Sequence, residues 1–290
     1  MNTKRLKTTL ADYIGRAAAT ALLSSFLLSH PAQAQEVVDV ELVLAVDISL
    51  SMSQKELEIQ RDGYVAAITS TPVINAIREG IHGKIAISYI EWAGDQSQYV
   101  IVPWTVIASR EDAESVAEMI RSGERNRARR TSISGGLRFA ADLFAESAFR
   151  SLKRVVDVSG DGPNNQGEWV NDVRDELVAR GIVINGLPIM ADFEYMAAFN
   201  IPDLDVYYEK CVTGGPGSFV IPVHDWTLFP EAVRRKLVLE IAEAVPEPLW
   251  PSPSPGYAVP VMKVADEMPY DCQVGEKRWR GRMEIFDDIK

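Results

Sequence analysis

The sequence contains few residues that bind soft metals or carry redox chemistry. Its 290 residues include 2 cysteines and 3 histidines. Cys211 and Cys272 are too far apart to form a Cys-x-x-Cys redox pair. His30 lies in an N-terminal leader, which leaves the scattered His82 and His224, and these are too few for a zinc site. The sequence therefore predicts neither a zinc centre nor a dithiol active site.

Positive charge and long apolar runs are also scarce. The chain has 30 basic and 41 acidic residues, and its formal net charge is −11. This excess argues against nucleic acids and anionic membranes as partners, because both repel an acidic protein. After residue 34, no stretch is long and apolar enough to predict a membrane span.

Residues 1–34 have the composition of a secretory signal peptide. Basic residues precede an apolar stretch from Ala17 to Leu28, and Ala32-Gln33-Ala34 supplies the small residues that signal peptidases accept. We expect cleavage near Ala34 and a mature protein in the periplasm or outside the cell. Cleavage removes four basic residues and one acidic residue, a charge of +3, so the formal net charge changes from −11 to −14.

Apolar strand patterns alternate with amphipathic helix patterns from about residue 36 to residue 244. The continuous apolar run from Leu42 to Val46 is typical of a strand that is covered on both faces. The alternation predicts an α/β fold: a doubly wound, mainly parallel sheet with helices on both faces. Pro103 makes the segment 98–104 a predicted edge strand. A short helix is predicted over 192–200 and a last strand over 218–223.

The composition changes at Val245. We predict one domain over residues 35–245, a stiff proline-rich linker over 246–260, and a short charged tail over 261–290. The tail cannot bury a core of its own, so it must dock, pair or remain mobile. An oxidising compartment permits a disulfide between Cys272 and Cys211, which we expect near the surface, although two unpaired thiols are the alternative. We expect such a bridge to pin the tail and to leave the metal-binding rim described below free.

Three oxygen-bearing side chains follow the first apolar run at alternate positions. In an extended segment Asp47, Ser49 and Ser51 point the same way. The carboxyl ends of strands border the ligand crevice in open α/β sheets, so these oxygens form a candidate site for a hard divalent cation. The alternative is an ordinary turn in which Ser51 or Ser53 caps the next helix.

Two further oxygen groups belong to the same rim of the predicted sheet. Thr131 lies in a loop just ahead of a helix, and Asp161 lies just after a strand. In the order Asp47, Ser49, Ser51, Thr131, Asp161, these residues resemble the metal-ion-dependent adhesion site of von Willebrand factor A domains. The pieces from Cys211 to Gly217 and from Arg234 to Leu237 are similar to a secreted bacterial subgroup of these domains whose function is unknown.

The resemblance implies a binding module rather than an enzyme. The three hydroxyls would bind Mg²⁺ or Mn²⁺ directly, and Asp47 and Asp161 would act mostly through water. A cation with uncharged direct ligands keeps most of its charge, so it attracts a carboxylate from a protein partner. The oligomeric state does not follow from the sequence.

A run of arginines precedes Thr131 and departs from the small residues that the family often has there. It comprises Arg121, Arg125, Arg127, Arg129 and Arg130. These side chains either form a solvated loop that balances acidic neighbours or create a local positive field that selects acidic partners. For Trp92 and Trp104, which lie near strand ends, we expect packing in the core.

Two other functions compete with the adhesion-type module. Asp47 after a strand, with an Asp-Gly later, also resembles a haloacid-dehalogenase-like phosphatase whose first aspartate is the nucleophile. That chemistry requires a general acid two residues further on, where this chain has Ser49. The third possibility is a structural A domain with a vestigial metal site, against which stand five intact ligand positions.

Overall fold

The computed structural model describes residues 35–190, 201–242, 262–263 and 270–287. The predicted signal peptide, the predicted helix over 192–200 and the whole of the predicted linker over 246–260 lie outside these ranges. The strands are β1 (Glu36–Asp47), β2 (Ile85–Trp92), β3 (Gln98–Ile107), β4 (Phe149–Gly160), β5 (Ile182–Pro188), β6 (Phe219–Val220) and β7 (Met262–Lys263).

Helices lie between most consecutive strands of the described residues. They are α1 (Gln54–Ile68), α2 (Thr71–Arg78), α3 (Arg110–Ser122), α4 (Ile133–Glu146), α5 (Val170–Ala179), α6 (Leu204–Tyr207), α7 (Phe229–Ile241) and α8 (Val274–Asp287). A π-helical segment, Tyr208–Val212, continues α6, and a 3₁₀ turn, Trp226–Leu228, precedes α7. None of the described helices is long and apolar enough to cross a membrane.

One sheet of seven strands forms the centre, in the order β3-β2-β1-β4-β5-β6-β7. Strands β2, β1, β4, β5 and β6 are parallel, and β3 and β7 are added antiparallel at the two edges. The mainly parallel, doubly wound fold is therefore confirmed, as is the edge position of β3. The predicted last strand over 218–223 is shorter than expected, because only Phe219 and Val220 form it.

The two faces of the sheet have separate apolar cores. Helices α1, α2, α3 and α7 cover one face, and α4, α5 and the segment 204–212 cover the other. β1 lies in the middle of the sheet and is buried from Val38 onwards, which accounts for its uninterrupted apolar run. Trp92 is fully buried, and Trp104 packs against Phe144 and Phe149, so the expected core packing is found.

The tail docks on the domain through a disulfide and a helix. Cys272 is bonded to Cys211, with 5.4 Å between their Cα atoms. The predicted bridge is therefore present, but Cys211 is fully buried and does not lie near the surface as expected. The preceding segment 204–212 folds as consecutive helical turns against the sheet, which places this cysteine inside the second core.

Candidate functional site at the carboxyl edge of the sheet

The turn after β1 orders the first three candidate residues. The Ser49 backbone N–H donates to Oδ1 of Asp47 at 2.7 Å, and the Gln60 side chain donates to the Asp47 carbonyl at 2.9 Å. Helix α1 has its own cap, because Ser53 accepts from the Glu56 N–H while the Glu56 carboxylate accepts from the Ser53 N–H. The hydroxyl of Ser51 is therefore not needed to cap the helix.

A chain of hydrogen bonds joins the first loop to the end of β4. The Ser49 and Ser51 hydroxyls lie 2.7 Å apart, and the Ser51 hydroxyl donates to Oδ1 of Asp161 at 2.8 Å. Because β1 and β4 are parallel neighbours, their carboxyl ends meet at one edge of the sheet. The structure thus brings Asp47, Ser49, Ser51 and Asp161 together, as the sequence predicted.

Thr131 lies beside this cluster on the loop before α4. Its backbone exchanges hydrogen bonds with Asn165: its N–H donates to the Asn165 side chain at 3.0 Å, and its carbonyl accepts from the Asn165 N–H at 2.8 Å. The loop also meets the first turn, because the Leu50 N–H donates to the Ala128 carbonyl at 3.0 Å. Within the described residues, no hydrogen bond links the Thr131 side chain to the other four candidates.

The site holds two carboxylates out of water without any basic partner among the hydrogen bonds described above. Oδ2 of Asp47 is buried and has no hydrogen-bond partner among the described residues. Burial raises the pKa of Asp47 well above its usual value, and the charge of Asp161 raises it further. Burial also raises the pKa of Asp161, to about 6, against the opposing effect of the Ser51 hydrogen bond. A cation would relieve both penalties, so these residues fit a divalent metal.

A buried ion pair holds the arginine-bearing loop in place. The Arg61 guanidinium donates to both oxygens of Glu91, at 2.7 and 2.9 Å. It also donates to the carbonyls of Ile120, at the end of α3, and of Gly123 and Glu124, at the start of that loop. Arg61 therefore links β2 to the segment that leads to Thr131, and burial makes its fork geometry hard to replace.

Residues 36–245 match the family described as "Protein of unknown function (DUF1194)". The chain belongs to the DUF1194 family. None of the curated proteins compared with this DUF1194 sequence matches it.

Several solved structures share the fold of this DUF1194 protein, and one of them is a von Willebrand factor type A protein. Proximal thread matrix protein 1 from the mussel byssus, with a zinc-occupied MIDAS motif, is 16% identical with a TM-score of 0.53, over 71% of this chain and 48% of that one. The pilus adhesin SpaC from Lactobacillus rhamnosus GG is 13% identical with a TM-score of 0.53, over 71% and 31%. The von Willebrand factor type A protein from Catenulispora acidiphila is 13% identical with a TM-score of 0.50, over 71% and 43%.

These likenesses confirm the predicted resemblance at the level of the fold. The DUF1194 chain spans less than half the length of each of these three proteins. At such low identity the fold alone is shared. In the part of the DUF1194 chain that the structure describes, no group of three or more His, Cys, Asp or Glu side chains is placed to hold a metal. The candidate site instead combines two carboxylates with three hydroxyls, a donor set suited to a hard cation.

Three residues that support the DUF1194 site were missed by the sequence analysis as functional positions. Gln60 fixes the Asp47 carbonyl. Asn164 accepts from the Ser134 N–H at 3.0 Å and donates to the carbonyls of Gln166 and Glu168, so it folds the loop after Asp161. Tyr208 places its hydroxyl 2.8 Å from where a β-carbon on Gly160 would lie. The only sequence signal was the Asn-Asn pair after Asp161.

Proposed function

We propose that this protein is a metal-dependent protein-binding module of the adhesion type, which acts in the periplasm or outside the cell. The observation that carries the proposal is the partly buried Ser49–Ser51–Asp161 hydrogen-bond chain, in the same site as an Asp47 carboxylate oxygen that has no hydrogen-bond partner among the described residues. Asp47, Ser49, Ser51, Thr131 and Asp161 would hold Mg²⁺ or Mn²⁺, which would supply a positive centre for a carboxylate of the partner.

The chain's own residues would divide the work at this site. The neutral hydroxyls of Ser49, Ser51 and Thr131 would contact the ion without cancelling its charge. Asp47, held by the Ser49 N–H, would supply negative charge that balances the ion. Leu50 is 39% exposed between the two serines, which leaves an approach for a partner. Secretion is supported by the composition of residues 1–34 and by the disulfide, because disulfides persist in oxidising compartments.

The similar structures support the proposal through their own properties. One is a pilus adhesin, and another contains a zinc-occupied MIDAS motif. The vestigial-site alternative lacks such support, because all five ligand positions are intact. A titration that detects no metal binding would favour the structural domain with a vestigial site.

The test is a calorimetric titration of the secreted mature protein with Mg²⁺ and Mn²⁺. We expect one ion per chain, and we expect Asp47→Ala and Asp161→Ala to lose binding while the circular dichroism spectrum stays native. Asp142→Asn, an exposed position on α4, is the matched control and should bind like the wild type. Unchanged affinity in both alanine variants would refute the assignment of the ligands.

We also propose that the protein is not a phosphatase. Asp47 is fully buried and accepts a hydrogen bond from the Ser49 N–H, which is poor access for a nucleophile. Ser49 stands where that chemistry needs a general acid. We expect no hydrolysis of an aryl phosphate above the buffer rate with Mg²⁺ present. Turnover that disappears in Asp47→Asn would favour the phosphatase reading instead.

A further inference from the structure

The tail helix α8 lies against the rim of the candidate site. The Asn164 side chain donates to Oε1 of Glu276 at 2.8 Å, and the Arg130 guanidinium stacks 3.6 Å from the ring centre of Trp279. Asn164 is three positions after Asp161, and Arg130 directly precedes Thr131. The expectation that the tail leaves the rim free is therefore wrong. Helix α8, which follows the disulfide-bonded Cys272, contacts the loops that carry Thr131 and Asp161.

The first turn of α8 approaches the rim loop too closely for a side chain. A β-carbon on Gly275 would lie 2.0 Å from the Asn164 carbonyl oxygen and 3.1 Å from Pro163. Gly281, two turns further along the same helix, has nothing within 4 Å of the equivalent position. The contact is therefore direct backbone packing at one end of α8, and the other glycine offers a matched control.

Together the loop and the helix present exposed arginines around the site. We call the following set the arginine collar: Arg125, Arg127 and Arg129 from the loop, and Arg278 and Arg280 from α8. Arg278 and Arg280 flank the stacked Trp279, so a rise of about 1.5 Å per residue keeps their backbones within one turn of it.

The acidic residues nearby offset only part of the collar's charge. Asp95 faces Arg130, Glu276 is bonded to Asn164, and Asp271 is bonded to Lys277. Glu276 also interacts with the charge of Arg280, and Glu91 interacts with that of Arg125, so two of the five collar arginines have an acidic neighbour. On a protein whose formal charge is −11, the collar is a local field of the opposite sign, and it would attract an anionic partner.

Exposed apolar side chains near the collar favour a protein over a simple polyanion. Leu50 is 39% exposed beside the candidate ligands, and Trp169 is 52% exposed just after Glu168, whose carbonyl accepts from Asn164. Tryptophan and arginine are enriched at the energetic centres of protein interfaces. A polysaccharide or nucleic acid would use the arginines but would gain little from Leu50.

We propose that α8 is the second wall of the partner site and that the partner is a protein segment with several carboxylates and an apolar side chain. The central carboxylate contact rests on the proposed function, whereas the contacts to the collar do not. The disulfide and the Asn164–Glu276 bond hold this wall in register with the metal-binding rim.

The experiment measures fluorescence anisotropy with the full mature protein in Mg²⁺. The probe is a labelled oligoglutamate peptide that contains one leucine, and the comparison probe is the oligoglutamine peptide of the same length. The variants are Gly275→Ala, with Gly281→Ala as control, and Arg278→Gln with Arg280→Gln as a double variant. Its control is the double variant Arg78→Gln with Arg150→Gln, which removes the same charge from exposed positions at the opposite edge of the sheet.

We expect oligoglutamate, but not oligoglutamine, to bind. Gly275→Ala and the α8 arginine variant should each weaken binding about fivefold, which corresponds to about 1 kcal/mol, with both controls close to the wild type. If Gly275→Ala fails to fold, the arginine variant alone decides. Wild-type affinity in the α8 arginine variant would overturn the proposal. If heparin binds more tightly than the peptide, and the α8 arginine variant loses heparin binding, the proposal of a protein partner is refuted.

Chelation separates this proposal from the proposed function. If EDTA abolishes peptide binding and the α8 variants have no effect, the metal-dependent module stands and the second wall is refuted. If EDTA has no effect and the α8 variants still weaken binding, the collar stands and metal-dependent binding is refuted.

Discussion

The hydroxyl of Ser51 donates a 2.8 Å hydrogen bond to Asp161, 110 residues further along the chain. This bond joins the loop after β1 to the end of β4, in the site where Oδ2 of Asp47 has no hydrogen-bond partner among the described residues. The buried carboxylates of Asp47 and Asp161 repel one another, which lowers the free energy of unfolding of the metal-free protein. A bound cation would raise it again.

Asp161→Asn should therefore stabilise the metal-free protein. The asparagine oxygen can still accept from Ser51, while one buried charge disappears. In EDTA we expect the free energy of unfolding to rise by about 1 kcal/mol. With excess Mg²⁺ the wild type should gain stability and the variant should not. Urea unfolding in both buffers measures this. A variant that is less stable than the wild type in EDTA would contradict it.

Arg61→Met should be among the most damaging single changes outside the site. It leaves the Glu91 carboxylate buried without its partner, and breaking a buried pair from one side costs about 3–5 kcal/mol. The double variant with Glu91→Leu should lose less than Arg61→Met alone, because the orphan charge is gone. Urea unfolding of both variants measures the loss in free energy of unfolding. A loss in the double variant that equals or exceeds that in Arg61→Met would argue against a buried-charge penalty.

The carboxyl group of Asp157 should make the free energy of unfolding depend on pH. Burial raises the pKa of Asp157 to about 7, although Lys236, at 3.0 Å, lowers it. Because the folded state holds this proton more tightly than the unfolded state, the contribution of Asp157 is most favourable at low pH. It is lost as the pH rises from about 4 to about 7.

Asp157→Asn removes that dependence and is the way to measure it. The free energy of unfolding of the wild type, minus that of Asp157→Asn, should decrease steadily across this pH window. Chemical unfolding at several pH values provides the comparison. A difference that is flat, or that increases with pH, would show that the carboxyl group is not held protonated by burial.

The disulfide should be a major stabilising feature. It closes a loop with a sequence separation of 61, for which restriction of the unfolded chain is worth about 4 kcal/mol. Cys272→Ser should lower the free energy of unfolding by up to about that amount, and a reductant should then change the variant no further. Intact-mass and peptide mapping must show the bridge in the wild type. Two free thiols in secreted protein would remove the basis of this prediction.

The central strands, and the meeting of four of the five candidate residues at one edge of the sheet, could be predicted because their signals are local. The apolar run before Asp47 is buried on both faces, and parallel strands bring Asp47 and Asp161 to one edge without any detailed packing. The position of Thr131 in a loop just ahead of a helix was also predicted, and the structure has it there. Its role depends on how its side chain is turned, and sequence spacing does not contain that information.

The errors come from long-range packing. Cys211 precedes a glycine-rich turn, which predicts exposure, yet the helical segment 204–212 turns it into the second core. Helix α8 has a weak apolar pattern, so the sequence did not indicate what it would contact. In the structure Gly275 packs against the Asn164 carbonyl, and Trp279 stacks with Arg130. Both contacts are made across more than a hundred positions, and no local periodicity reports them.

The short strand β7 has a consequence for how the protein behaves at high concentration. It pairs with β6 through Phe219–Lys263 and Val220–Met262 and thereby becomes the outermost strand on that side of the described sheet. A two-residue strand offers few backbone groups to a neighbouring molecule, whereas a longer bare strand is a template for edge-to-edge growth. We therefore expect the short strand β7 to limit edge-to-edge association on this side of the described sheet.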